Sequence, residues 1–382
     1  MAGFGGKLTE LLNASATSTA LGVASRTGLL AALGPEPQTS AALAARAGIT
    51  ARWADEILAV LVCGDVVVLS DPPVLRPTAQ MPEELKYSLP DDRKGALDGM
   101  GLYFEELPLL SQCAFSEVCD AAVSGSGVAP DRYKEFGAWM GKLADEKHAR
   151  QLTQKFLPAL DDGKIAAALE RGARVLDLGC GEGTAARIIA AAFPAAEVVG
   201  VDISEASVAA ARAHPDATSL QNLQFRVGDA SNLVAHAPEL AGQFDLVLSF
   251  DAIHDLPDPS GAMGTARALL TPDGIFAMVD IRAQSGLRGN LGHDMGAFLY
   301  CVSLMHCMPQ GLGCDCHGRP GAGLGMMWGR SKAQHMLKEV GFDVQVVELE
   351  FDQFNDVFLC RASPSTGRGE QQGGGGQAAS AI

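Results

Sequence analysis

The stretch Arg174-Val-Leu-Asp-Leu-Gly-Cys-Gly-Glu-Gly-Thr184 constrains this chain more than any other. Apolar and β-branched residues run straight into three glycines at alternate positions, and the helix-forming run Ala185 to Phe193 follows at once. That order is a buried parallel strand, a tight turn and a helix N-terminus. Glycine lets the backbone approach a ligand with no Cβ in the way. A nucleotide-like ligand is expected there.

The alternation continues downstream. Strands are expected at Glu197–Val201 ending in Asp202, Leu223–Val227 ending in Gly228-Asp229, Phe244–Ser249, and Gly274–Val279, with a helix over Glu205–Ala213. This pattern predicts an α/β fold with a doubly wound parallel sheet that takes its ligand at the strand C-terminal ends. At those ends stand the glycine loop, Asp202, Asp229 and the segment Phe250 to Pro257. Asp202, 19 residues past Gly183, is placed to accept both hydroxyls of a ribose. Asp229 can accept from an exocyclic amine. A strand-end carboxylate also serves to cap a neighbouring loop, but two of them in register with the glycine loop exceed that plain use.

Two cofactors fit a glycine turn followed by a ribose carboxylate. A dinucleotide needs its pyrophosphate on a helix N-terminus, usually with G-x-G-x-x-G. Here the spacing is G-x-G-x-G, with Asp177 before the first glycine and Glu182 inside the loop. Carboxylates repel a pyrophosphate and suit an ammonium or a sulfonium. The pattern favours S-adenosyl-L-methionine over a nicotinamide cofactor.

The N-terminal third reads as mainly helical. Leu8, Leu11, Leu12, Leu21, Leu29, Leu30 and Leu33 keep helical spacing with one interruption near Ser15–Thr19. Ser40 is expected to cap a short helix, Ala41–Ala47, and Thr50 to start another with Ala54, Ile57, Leu58 and Leu61 on one face. A strand at Val66–Leu69 and a return strand at Val74–Thr78 complete a winged-helix pattern. Its second helix carries Asp55 and Glu56 beside Arg52, the wrong charge for reading a DNA groove. The formal charge of −16 likewise excludes a general affinity for nucleic acid or anionic membranes. No apolar run reaches the roughly 18 residues of a spanning helix.

Nine scattered cysteines and no basic–apolar–small leader read as reduced thiols in a cytoplasmic protein, the Ser/Thr-rich stretch Asn13–Arg26 being too poor in basic residues for a transit peptide. Residues 77–127 read as a mixed linker with helical pieces. Tyr133 to Leu160 reads as one long helix carrying Phe136, Trp139, Met140, Leu143, His148 and Leu152. Its aromatics are core by default, with Trp139 a candidate for the substrate side.

Val175-Leu-Asp-Leu-Gly-Cys-Gly-Glu-Gly183, Val199-Gly-Val-Asp-Ile-Ser204, Val227-Gly-Asp-Ala230 and Phe244-Asp-Leu-Val247 resemble the successive motifs of class I S-adenosylmethionine-dependent methyltransferases. The run Phe250-Asp-Ala-Ile-His-Asp-Leu-Pro-Asp-Pro259 and Gly321-Ala-Gly-Leu-Gly-Met-Met-Trp-Gly329 resemble a subgroup with a winged helix in front. The resemblance implies a Rossmann-like, seven-stranded sheet with one antiparallel strand in a last hairpin near Phe342–Glu348 and Asn355–Cys360. It implies that Asp177, Gly179, Gly181 and Gly183, with Cys180 between them, line the methionine part. It assigns Asp202 to the ribose, with Ile203 beside it among the cofactor-binding residues, Asp229 and Ala230 to the adenine, and Phe250 to the cofactor's flank. It also implies a homodimer formed through the N-terminal domain.

Methyl transfer is an in-line displacement, so most of the work is orientation of the acceptor. A base helps where the acceptor must lose a proton, and His254, oriented by Asp255 or Asp251, is the candidate. A plain hydrogen bond to the loop is its alternative. The insertion 280–330 is expected to close over the substrate, with Tyr300 and His306 lining a pocket. Cys307, Cys314, Cys316 and His317 lack paired metal-ligand spacing, so no metal is expected from them. The expected organisation is a winged-helix domain over 1–80, a helical linker and cap over 81–165, the methyltransferase domain over 166–362 and a low-complexity tail over 363–382. The function expected is methyl transfer to a small, partly apolar molecule at oxygen or nitrogen. A cofactor-binding regulator without catalysis, and a nicotinamide-dependent oxidoreductase, are the alternatives.

Overall fold

The computed structural model describes residues 4–70, 85–98, 100–313 and 317–363. An uninterrupted helix, Phe4–Arg26, opens the chain and buries only its C-terminal half, at Ala20, Leu21, Gly22 and Ala24. The expected break near Ser15–Thr19 is absent because Thr17 and Thr19 turn their hydroxyls back onto the carbonyls of Asn13 and Ser15. The helix Ser40–Ala47 is capped by Thr39, whose hydroxyl accepts from the Ala42 N–H; Ser40 already lies inside the helix. Helix Ala51–Cys63 buries Ala54, Ile57, Leu58 and Leu61, the face that its spacing predicts.

Three short strands accompany these helices: β1 (Gln38–Thr39), β2 (Val68–Ser70) and β3 (Lys86–Ser88), with β3 antiparallel to both others. The return strand expected at Val74–Thr78 lies outside the described residues. The strand that pairs with β2 comes later, with Leu69 opposite Tyr87. Tyr87 and Leu89 enter the same core as Leu43, Leu58 and Leu61.

The stretch read as a mixed linker is a 22-residue helix, Tyr103–Ser124, that runs through Pro108. Propensity argued against it. Burial of Leu109, Leu110, Ala114, Val118 and Ala121 on one side outweighs the proline, which stands one turn in and removes the bond to the Phe104 carbonyl. Its beginning is pinned to the first helix at Gly22, where a Cβ would stand 2.5 Å from the Phe104 carbonyl oxygen. The next helix, Lys134–Gln151, passes into a wider π-type turn at Leu152–Phe156. Such turns insert one residue into the helical ladder and recur at functional sites.

The second half is one sheet in the order β6-β5-β4-β7-β8-β10-β9. The strands are β4 (Arg174–Leu178), β5 (Glu197–Asp202), β6 (Leu223–Val227), β7 (Phe244–Phe250), β8 (Leu270–Ile281), β9 (Phe342–Glu348) and β10 (Asn355–Ala362). β4 to β8 run parallel, and β10 runs antiparallel to β8 and β9, as the last hairpin demands. Alternate residues of each strand enter two cores, one under Val175, Leu246 and Ile189, the other under Leu176, Val247 and Phe276. Between β8 and helix Arg330–Glu339, the insertion forms helix Gly296–Val302 and a second π-type turn, Ser303–Cys307.

Candidate active site

Gly179, Gly181 and Gly183 all take left-handed backbone angles, φ 79°, 52° and 77°. Two of them are also closed to side chains by their neighbours. A Cβ on Gly179 would lie 2.8 Å from the Ala252 Cβ, and one on Gly183 would strike the Phe225 ring at 2.4 Å. A Cβ on Gly181 would meet open space, so this glycine faces the cleft. The loop is tied to the next strand: Gly179 and Cys180 donate to the Val201 carbonyl, and Gly181 donates to Asp202 Oδ2 at 2.8 Å. Asp202 Oδ1 accepts from the Ser204 N–H at 2.9 Å. Each oxygen of Asp202 thus spends one lone pair on the loops and keeps another.

Beneath the loop, Asp177 is buried, and burial pushes its carboxyl up to about 7, with the Ala186 N–H opposing and Asp202 adding to the rise. An uncompensated buried carboxylate favours a cation nearby. Burial likewise raises the Cys180 thiol, which makes it an inert wall. Ile203, beside Asp202, is 64% exposed, an apolar surface left open where an aromatic base would lie. Asp229 commits one oxygen to the N–H and hydroxyl of Ser231, and Ala230 is buried behind it.

Helix Lys134–Gln151 lies over this loop. Asp145 accepts from Thr184 at 2.7 Å and from the buried Arg187 at 2.9 Å, both on the helix that follows the glycines. Farther along, Lys147 stands 3.8 Å from Asp251 and 3.6 Å from Asp352. Asp251 follows β7 in a left-handed conformation, φ 48°, and is held there by the Asn355 amide. Phe250 packs its ring on His148 at 4.7 Å and Phe156 at 5.5 Å. Burial, with Lys147 close by, pushes the His148 imidazole down to about 4.

His254 is 2% exposed, and its orienting partner is neither Asp255 nor Asp251. Its Nδ1 meets Asp280 Oδ1 at 2.8 Å. That oxygen also accepts from the Trp328 indole N–H at 3.0 Å and the Ile281 N–H at 2.8 Å. Asp280 is the last residue but one of β8, next to β7, a further strand-end carboxylate that sequence reading missed; it stood in plain view after Ala277-Met-Val279. Asp255 lies on the other side, 3.3 Å from Nε2. Burial opposes the imidazolium, but Asp280 and Asp255 outweigh it and raise the ring well above an ordinary histidine.

His306 joins this group, its Nδ1 3.8 Å from Asp255 and its ring between Tyr133 and Phe136 at 4.8 and 4.7 Å. Trp139 stacks on Phe136 at 5.2 Å, with its indole N–H buried and unpartnered. Tyr300 belongs elsewhere: it packs with Ala283, Leu299 and Met327 and accepts from Asn290 at 3.2 Å. Cys314 and Cys316 lie outside the described residues.

A family model described as a methyltransferase domain matches residues 169–341. The ubiquinone biosynthesis O-methyltransferase of Acinetobacter baumannii is 32% identical over 125 residues, 32% of this chain and 51% of that one. The chain therefore spans about half the length of such curated relatives. The protein of the same name from Acinetobacter baylyi is 32% identical over 178 residues, 45% of this chain and 71% of that one. Among solved structures, human N-acetylserotonin methyltransferase in complex with S-adenosylmethionine aligns over 95% of this chain and 99% of its own, with a TM-score of 0.59 at 15% identity. Sheet order, glycine loop and these relatives together place the chain among the class I S-adenosylmethionine-dependent methyltransferases.

Proposed function

We propose that this chain transfers the methyl group of S-adenosylmethionine to a small, partly apolar molecule, at a hydroxyl oxygen or an amine nitrogen. One observation carries the reading: an open Gly181 between a buried, uncompensated Asp177 and an Asp202 with a free lone pair on each oxygen. Asp177 and the loop suit the cationic methionine end, Asp202 the ribose, Ile203 and Ala230 the adenine faces, and Asp229 its amine. Phe250 bounds the methyl end. When bound, the cofactor supplies a sulfonium methyl group. The relatives' names, O-methyltransferases, support oxygen as the acceptor atom.

On the acceptor side we assign the proton of a hydroxyl acceptor to the His254–Asp255 pair. Asp280 accepts only, so Nδ1 carries its proton, and Nε2 is the nitrogen that takes the acceptor's proton once its own has left. Trp139 and His306 belong to the same wall, and Tyr300 packs away from it.

Residues 1–80 are proposed as a winged-helix dimerisation module. Helices Ser40–Ala47 and Ala51–Cys63 with the three-stranded sheet support the first part. Phe4, Leu8, Leu11 and Leu12, all exposed on the free half of the first helix, support the second. Arg52 pairs with Glu56, which leaves no cationic face on that helix for DNA. Among the described residues no helix is long and apolar enough to cross a membrane; a cytoplasmic site is proposed from the reduced cysteines.

Calorimetry with S-adenosylhomocysteine and NAD tests the cofactor reading: tight binding of the first and none of the second is expected, and the reverse overturns it. His254→Gln should bind S-adenosylhomocysteine as the wild type does while turnover falls about 100-fold or more; unchanged turnover removes His254 from the mechanism.

A further inference from the structure

Two consecutive residues and a third, distant in sequence, converge behind the end of β7. His254, Asp255 and Cys307 each present a ligand atom, and those atoms lie within 4.8 Å of one another. The His254 Nε2 to Asp255 Oδ1 separation is 3.3 Å. A tetrahedral ion with metal–ligand distances of about 2.0–2.2 Å sets an N···O edge of about 3.4 Å. Cys307 Sγ stands 3.7 Å from His306 Nδ1, which is 3.8 Å from Asp255 Oδ2. A sulfur–nitrogen edge around such an ion is about 3.6 Å, so His306 flanks the same point. The π-type turn Ser303–Cys307 is what brings His306 and Cys307 to it together.

The surroundings are those of a ligating histidine. Its far nitrogen, Nδ1, is fixed by the Asp280 carboxylate, which is 1% exposed and is itself anchored by Trp328 and the Ile281 N–H. A carboxylate in that position selects the tautomer and turns the Nε2 lone pair outward. Nε2 then faces Asp255 Oδ1, a buried oxygen without a hydrogen-bond partner. The two atoms stand 3.3 Å apart, yet no hydrogen bond satisfies Oδ1. An ion placed off the line between them, within reach of the thiol as well, satisfies all three.

We propose that His254, Asp255 and Cys307 bind a divalent transition metal ion of the zinc type. One thiolate, one imidazole and one carboxylate favour Zn²⁺ over Mg²⁺ or Ca²⁺, which take oxygen shells. Three protein ligands leave a fourth position open, the arrangement of catalytic rather than structural zinc. Binding expels the Cys307 thiol proton and the proton carried on His254 Nε2 to solvent. The fourth position takes the acceptor's oxygen; an O–H bound there releases its proton to water more readily, and the anion left attacks the methyl carbon as the sulfonium C–S bond breaks. That last role rests on the function proposed above, whereas the binding site does not. With the ion present, Nε2 holds the metal, and the ion rather than the ring draws out the proton.

The test uses the full chain, stripped with chelator and dialysed against Zn²⁺ or Co²⁺ alone. Expected are one high-affinity ion per chain and, with Co²⁺, a thiolate charge-transfer band. Cys307→Ser should abolish the band and weaken Zn²⁺ binding at least 10-fold, and Asp280→Asn should weaken it about 10- to 100-fold. Absence of a stoichiometric ion in the wild type overturns the proposal. So does a band that survives in Cys307→Ser, which would place the ion on other cysteines. Should Cys307→Ser not fold, the band is read from Cys307→Ala with the same outcomes, and His254→Gln should weaken Zn²⁺ binding at least 10-fold, unchanged affinity there overturning the proposal. Calorimetry with S-adenosylhomocysteine on the stripped wild type separates the two readings: cofactor binding without metal binding leaves the methyltransferase assignment standing and removes this one.

Discussion

Replacing Asp202 by Asn changes one atom and tests the ribose assignment. The carboxylate already accepts two backbone N–H groups, Gly181 at 2.8 Å and Ser204 at 2.9 Å, one on each oxygen. One lone pair per oxygen remains, and two ribose hydroxyls match them. Asn offers one acceptor oxygen and one donor NH₂, and either orientation sets that NH₂ against a backbone donor. One hydroxyl then loses its bond to a charged acceptor, roughly 1.5–3 kcal/mol, and the other keeps only a neutral acceptor. The sum is about 2–4 kcal/mol, roughly a 30- to 700-fold rise in the dissociation constant. The opposed donors add a stability cost of about 1–3 kcal/mol whether or not ligand is bound. Calorimetry should be run with S-adenosylhomocysteine and with its 2′-deoxy analogue. The wild type should lose affinity for the analogue, and Asp202→Asn should scarcely discriminate between the two. A variant that folds, binds within threefold of the wild type and still discriminates refutes the reasoning.

Three further outcomes follow from particular contacts. Burial pushes the Glu106 carboxyl up to about 8 from an ordinary 4.5, so the native state holds a proton that the unfolded chain releases. Stability should therefore fall as pH rises from about 4.5 to about 8, by about 4 kcal/mol in all, and Glu106→Gln should remove that slope in thermal melts; parallel curves contradict it. Gly183→Ala must strain a φ of 77° and move the Phe225 ring, which should lower the urea midpoint by an amount equal to about 2–4 kcal/mol. Gly181→Ala, pointing into open space, should cost only about 1 kcal/mol of stability yet weaken cofactor binding; equal effects of the two would mean the loop is misoriented. Leu8→Asp with Leu12→Asp should convert a dimer to a monomer in sedimentation without lowering the melting temperature of the sheet, and an unchanged mass removes the first helix from the interface.

What the sequence made legible is the part where local pattern and tertiary packing agree. β4 and β5 are largely buried on both faces, so their residues run apolar to a stop, and the stop is a glycine or an acid in the cleft: the loop after Leu178 and Asp202; the edge strand β6 buries only Phe225 and still ends at Gly228-Asp229. The helix Tyr103–Ser124 was illegible because Pro108 contradicts it locally, while its buried face is set by partners elsewhere, including Met305 and Cys307 in the insertion. β3 was missed for a related reason: a three-residue strand has no period to read, and pairing alone defines it. At the candidate site, His254 was visible as a loop histidine after β7. Its partner Asp280 obeys the same strand-end rule as Asp202, but only the adjacency of β7 and β8 brings the two together. Cys307 and His306 reach His254 through a π-type turn, which leaves no mark in the residue pattern.

The central claim is that a methyl group leaves S-adenosylmethionine for a small molecule. Incubating the protein with methyl-labelled S-adenosylmethionine and a low-molecular-weight metabolite extract, then following the label by chromatography, tests it most directly. Label should appear in a small organic product at a rate proportional to enzyme and should fall in Asp202→Asn. No labelled product across such extracts, with S-adenosylhomocysteine binding intact, would contradict the account and leave a cofactor-binding regulator in its place.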